Sequence, residues 1–206
     1  MEVVVLGGNG EGRGAQKLLR PMFEQLVTVK YLIKHPDLID RYMNYYRVDR
    51  RRLAKVIEST LGADALGAEK MAEIEAEFQT VKSQFEVPDC KKCGTVRLAH
   101  AWTQVDLVTM AKEVGVEAYL VNGYYLPLEQ SHPKVGGMLS RVVETDSGGI
   151  AAAPRLAPDL ADETLRVAHG LLIIALGAQV DHFQLASGPV VAKLDEDFGE
   201  IWRKAE

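Results

Sequence analysis

Cysteine is nearly missing from this chain: its 206 residues hold two, Cys90 and Cys93. That excludes a disulfide scaffold and makes a reducing compartment the default, so the expected location is the cytoplasm. Proline numbers only 8 and aromatic residues only 7%, with no tract of low complexity, which argues against extended disorder. Long hydrophobic runs are also missing. The longest, Leu171 to Val180, falls short of the ~20 residues that cross a bilayer and is followed by Asp181 and His182. The apolar run Val3 to Leu6 is too short for a signal peptide, so no membrane partner is expected. Neither charge dominates: 24 Lys and Arg face 29 Asp and Glu, for a net charge of −5. That balance argues against non-specific nucleic-acid binding.

What is present is a helical pattern. Apolar side chains recur at three and four spacing from Leu19 to Ile33, from Ile39 to Leu61 and from Met71 to Phe85. His35-Pro36-Asp37 breaks the first of these runs, because the residue before a proline avoids the helical region. Gly62 ends the second. The gaps of 3, 4, 3 and 4 in the third predict a helix lying along a partner at a shallow angle. Thr103 reads as an N-cap for a short fourth helix ending at Gly115. Val116 to Ser131 reads as helix despite Pro127. Asp162 to Ala186 is apolar nearly all round, which predicts a central helix ended by Gly188-Pro189, and Leu194 to Lys204 predicts a last helix. The expectation is an all-α, single-domain bundle of about seven helices over 15–206. It has a flexible or short leader over 1–14 and a loop-rich stretch near 134–158.

The leader holds a competing signal. Gly10, Gly12 and Ala15 satisfy the G-x-G-x-x-G/A spacing of a dinucleotide loop, with Val3–Leu6 as the strand before it and Asp37 as a ribose-binding acid. That site needs a parallel sheet. The chain offers no repeated strand–helix–strand unit, and Pro21 interrupts the helix the motif would open. The expected role of the glycines is backbone freedom, and no cofactor is expected.

From Ala15 to Pro133 the chain resembles a widespread bacterial family known only as a domain of unknown function. The resemblance rests on an L-x-R-[apolar]-x-x-E helix with a later aromatic and a proline break, here Leu18, Arg20, Glu24, Tyr31 and Pro36. It rests further on Trp102, Gly115, the pair Tyr124-Tyr125, and Ser131-His132. It implies an all-helical fold and brings no known reaction. Families of this kind are compared with HEPN ribonucleases, whose signature is Arg, four to six residues, then His. The pairs Arg97–His100 and Arg166–His169 have only two residues between, which departs from that signature.

Arg20, Glu24 and Tyr31 fall on one helical stripe, and Tyr125, Glu129 and His132 share another face. Opposite charges between apolar neighbours form either a solvated i,i+4 pair, worth about 0.3–0.5 kcal/mol, or a buried network. The expected site is a polar pocket built by Arg20, Glu24, Tyr125 and His132, with Tyr31 and Ser131 as further candidates. It belongs to a binding or interaction protein, or to a divergent HEPN-like ribonuclease or phosphate-ester hydrolase in which His132 moves a proton and Arg20 holds a phosphate. Cys90, Cys93 and His100 supply three of the four ligands a structural zinc takes, so no zinc is expected, with a small zinc module as the third reading. Arg47, Arg50, Arg51 and Arg52 form a basic cluster that can touch RNA or an acidic partner and is expected as a solvated face. Self-association through helix faces is the other expected contact.

Overall fold

The computed structural model describes residues 1–89, 94–131, 135–139, 141–152 and 156–203. Cys90, Cys93 and His132 lie outside them. The described residues form nine α-helices: α1 (Glu2–Gly8), α2 (Gly12–Lys34), α3 (Ile39–Leu61), α4 (Ala68–Gln79), α5 (Leu107–Glu113), α6 (Leu126–Ser131), α7 (Val135–Leu139), α8 (Pro158–Phe183) and α9 (Gly188–Arg203). Four three-residue strands make two separate antiparallel hairpins. In one, β1 (Glu86–Pro88) pairs with β2 (Val96–Leu98), setting Val87 opposite Arg97. In the other, β3 (Val142–Glu144) pairs with β4 (Ile150–Ala152), setting Val143 opposite Ala151. The fold is all-α, as the periodicity predicts. The helix number rises from about seven to nine because α1 and α7 fall in segments expected as leader and loop.

The chain divides into two compact units, Met1–Ile33 with Leu107–Glu206, and Lys34–Asp106. In the first, α8 is the long central element: α1, α9 and the turn before α6 pack against it. It begins at Pro158, four residues before the expected start. A proline tolerates the first helical turn, where its missing N–H has no intrahelical partner to lose. It closes on Gln184, whose φ of 52° is left-handed. Gly188 and Pro189 open α9 instead of merely ending α8, for the same first-turn reason.

At 26 residues α8 is long and apolar enough to cross a membrane by length and composition, a span that the Leu171–Val180 run alone understates. One side of it is protein core, with Val167, Ala168, Leu171 and Ile173 buried, while Leu172 is exposed. The apolar stripe of α2 is also core. Ala15, Leu19, Phe23, Leu26, Val27 and Tyr31 are all buried.

The N-terminal glycines serve close packing. Val3–Leu6 is helix rather than strand. A Cβ on Gly7 would lie 2.7 Å from Leu165. One on Gly12 would lie 2.5 Å from the Ala161 nitrogen and 2.6 Å from the Ala157 oxygen. Gly10, at φ 74°, makes the left-handed turn between α1 and α2 and accepts the Ala157 N–H at 2.8 Å. The first turn of α2 therefore lies against α8 backbone, where a phosphate loop would need open space.

The second unit is built around Tyr45 and Val48 of α3, Phe78 of α4, and Val81 and Phe85, with Leu98 and Trp102 packed on them. The helix expected to run through Phe85 stops at Gln79, and Lys82–Phe85 forms a 3-10 turn that still buries Phe85.

Candidate functional site

Between α5 and α6 the chain changes helical pitch twice. Glu117–Tyr119 is a 3-10 turn and Leu120–Tyr125 is a π-helical turn. Pro127 supplies one reason. It has no N–H to offer the Gly123 carbonyl, and its ring crowds that carbonyl in a regular helix. Gly123 lets the turn approach α2 closely: a Cβ there would lie 3.2–3.3 Å from three carbons of Phe23, tighter than side chains ordinarily pack. Single π turns are rare and concentrate at functional sites. Here the turn presents groups on two faces.

One face meets α2. The Arg20 guanidinium lies 5.1 Å from the centre of the Tyr124 ring, within cation–π range. Tyr124 also contacts Phe23, and Tyr125 stands edge-on to Tyr124 at 5.2 Å. Arg20 Nε donates to Glu24 Oε1 at 2.7 Å, and that bond raises the guanidinium's pKa above its ordinary value. Their side chains are 29% and 39% exposed, so this is a half-solvated i,i+4 pair, not the fully buried alternative.

The candidates taken from the sequence therefore assemble in part. Arg20 and Glu24 are together, but the ring that Arg20 meets is Tyr124. Tyr125 is 47% exposed. The spacing of Tyr125 and Glu129 relates them only to each other along α6; which of the two tyrosines meets α2 is set by the packing of the π turn, which that spacing does not report. Tyr31 is buried in the α2 stripe, and Ser131 Oγ donates to the Pro127 carbonyl at 2.8 Å. His132, Cys90 and Cys93 lie outside the described residues. His100 is exposed, and among the described residues no group of three His, Cys, Asp or Glu side chains could hold a metal.

The basic cluster is not a free solvated face. Arg50 bridges Glu73, at 2.9 Å, and Glu77. Arg51 pairs with Glu75 at 2.7 Å and covers the Phe78 ring at 4.2 Å. Arg52 donates to the Ala99 carbonyl at 2.6 Å and to the Tyr45 hydroxyl, and Arg47 donates to Asn44. The acids that neutralise Arg50 and Arg51 sit on α4, so these side chains hold α3 and α4 together. Hydrogen bonds from Lys70 and Arg50 lower the Glu73 carboxyl below its ordinary pKa, and one from Arg51 does so for Glu75.

The other face of the irregular turn opens into a cleft of about 420 Å³. Ala118, Tyr119 and Asn122 form one wall, Arg166 and Val167 of α8 a second, and Phe198, Gly199 and Trp202 of α9 the third. Gly170 lets Tyr119 approach α8, since a Cβ there would fall 2.4 Å from the phenol oxygen. Burial raises the Tyr119 pKa, as does the Asp195 charge, against the opposing effect of Arg166. His169 sets the α9 rings: its Nδ1 accepts from Trp202 Nε1 at 3.4 Å, and Phe198 stands edge-on to the imidazole at 5.0 Å. In a neutral imidazole that places the proton on Nε2.

Sequence reasoning overlooked this cleft. It reads Arg166–His169 as a departure from the ribonuclease signature and gives Leu194 to Lys204 no role beyond a last helix. The available signal was spacing: Arg166, His169 and Gly170 lie at i, i+3 and i+4, and Phe198 and Trp202 at i and i+4, so each set shares a helix face.

A helical chain with an irregular, aromatic-lined cleft describes many binding proteins and some enzymes. Residues 1–150 match the family of unknown function DUF5677, and the chain belongs to that family. The match takes in the second unit and the π turn and ends before α8. No curated protein and no solved structure matches the chain.

Proposed function

We propose that this chain is a cytoplasmic binding protein that takes a small planar ligand carrying an acidic group, in the cleft beside the π turn. The observation that carries the reading is the convergence of Tyr119, Phe198 and Trp202 with Arg166 and Asn122 on one cleft of about 420 Å³. Ligand sites are concave and mainly apolar, with a few polar groups that fix orientation, and this volume is in their usual range. Aromatic walls select a flat molecule, and an arginine beside them selects a carboxylate, sulfonate or phosphate.

The test uses pyrene-1-sulfonate, a flat aromatic anion that absorbs where tryptophan emits, as probe. The chain has two tryptophans, so a Trp102→Phe variant leaves Trp202 as sole reporter. The expected result is saturable quenching of Trp202, weakened at least tenfold by Arg166→Ala. Quenching that does not saturate, or that ignores Arg166, refutes the cleft.

A second reading keeps the ligand at Arg20, Glu24, Tyr125 and His132, as a binding pocket or as the site of a divergent phosphate-ester hydrolase. It draws support from the Arg20–Tyr124 contact on the opposite face of the same turn. Under that reading Arg20→Ala, and not Arg166→Ala, abolishes binding.

A further inference from the structure

Helix α3 turns its α4-facing side chains inward and leaves a second apolar stripe uncovered. Tyr45, Val48 and Ala54 are buried, and Arg50 and Arg51 reach α4. On the outer side Ile39, Tyr42, Tyr46, Leu53 and Val56 are all exposed, Tyr46 by 66%, Leu53 by 61% and Val56 by 58%. With Asp49 these positions advance by 3, 4, 3, 4 and 3 residues, the a and d positions of a heptad. A seam with that period over 18 residues, about 26 Å of helix, is the pattern of a helix that packs lengthwise against another helix.

We infer that the partner is the same stripe on a second copy of this chain, packed antiparallel about a twofold axis. The register follows from the residues. Reversing the stripe sets Ile39 against Val56, Tyr42 against Leu53 and Tyr46 against Asp49, every a position meeting a d position. An isologous contact requires this self-complementarity, in which residue i meets j and j meets i. The polar position decides the direction. A parallel, in-register pair sets two Asp49 carboxylates against each other in one layer of the seam, where like charges repel. The antiparallel pair gives each carboxylate a tyrosine hydroxyl as donor. Asp49 is free to accept it, since its side chain is 59% exposed and its contact with Arg52 is long, at 3.5 Å. Judged from their exposure, these side chains cover roughly 600 Å² per copy, at the low end of specific interfaces. A contact of that size is of the kind that forms and separates with concentration.

Sedimentation velocity on the full chain, from about 1 to 200 µM so as to span the micromolar range of weak specific contacts, tests this. The parent should shift from monomer to dimer. Leu53→Glu should remain monomeric throughout, and Tyr46→Phe, which removes only the hydroxyl donor, should associate several-fold more weakly. Both positions are exposed, so the helical circular dichroism of each variant should match the parent, and each variant checks the other. For direction, Ile39→Cys and Val56→Cys chains are made on a Cys90→Ser, Cys93→Ser background and mixed under oxidation. The mixture should cross-link, and neither chain should cross-link to itself. A parent that stays monomeric overturns the inference, as does undiminished association of Leu53→Glu. Cross-linking of Ile39→Cys to itself in place of the mixed pair overturns the antiparallel arrangement.

Discussion

Replacing Gly12 by alanine puts one methyl group where the structure has backbone. The new carbon would meet the Ala161 nitrogen at 2.5 Å, the Ala157 oxygen at 2.6 Å and the Leu160 carbonyl carbon at 2.7 Å. Favourable carbon contacts begin near 3.5 Å, so the shortfall is about 1 Å. None of the three atoms belongs to a side chain that can rotate away, so α2 and the first turn of α8 must separate. A gap of that size forfeits roughly a quarter to a half of each dispersion contact along the seam. Overpacking costs about 1–3 kcal/mol, and collision with backbone sets the upper end. Alanine's helix propensity returns at most about 1 kcal/mol. The net expectation is a loss of about 2–3 kcal/mol, or a fall in Tm of roughly 5–10 °C for a chain of this length. Urea melts read by Trp202 in the Trp102→Phe variant give the number. Gly8→Ala is the control, since nothing lies within 4 Å of its added carbon, and it should melt at or slightly above the parent. A Gly12→Ala chain that melts with the Gly8→Ala control refutes the packing argument and returns the glycine run to the phosphate-loop reading.

Two further predictions concern ion pairs. Because Arg20 and Glu24 are more than a quarter exposed, their coupling in a double-mutant cycle should be about 0.3–0.5 kcal/mol and should shrink with salt; a coupling above about 2 kcal/mol would mean a desolvated network after all. The bond from Arg51 holds Glu75 below the ordinary carboxyl value of 4.5, so it stabilises the fold above pH 4.5, and that contribution is lost as pH falls through the lower folded value. In a carboxyl-carbon NMR titration Glu75 should have its midpoint below 4.5 in the parent and move toward 4.5 in Arg51→Met, and an unmoved midpoint would show that Arg51 is not the cause.

Much of the helical fold was legible because 3.6-residue periodicity is a local signal. Ile39–Leu61 was readable almost to its ends from its stripe and from Gly62, whose φ of 104° suits glycine. Boundaries were lost where proline and glycine carry two meanings. Gly188-Pro189 was read as a stop and is a start. The hairpins β1–β2 and β3–β4 were illegible because three residues are too few to show alternation. The role of Gly12 depends on a backbone 145 residues further along the chain, which no local pattern reports. The candidate site was half legible for the same reason. Arg20 and Glu24 pair within one helix and were found. Tyr124 was missed for Tyr125 because the spacing that groups Tyr125 with Glu129 does not report which tyrosine meets α2, and the cleft was missed because α8, α9 and the π turn meet only in three dimensions.

The division of the chain has a consequence for its synthesis. The first unit is assembled from two stretches, with the whole of Lys34–Asp106 inserted between them. Helix α1 and the turn at Gly10 find their partner in α8, which begins at Pro158. At a ribosomal pace of roughly 5–20 residues per second, about 10–30 s separate the emergence of α1 from that of the helix that covers it. Lys34–Asp106 is contiguous and can complete its own core in that interval. Leu19, Phe23 and Leu26 must wait for the stretch from Leu107 onward, displayed on a nascent chain. A hydrophobic stripe held open for that long is a natural substrate for a chaperone, and the segment before Pro36 is where misassembly would begin.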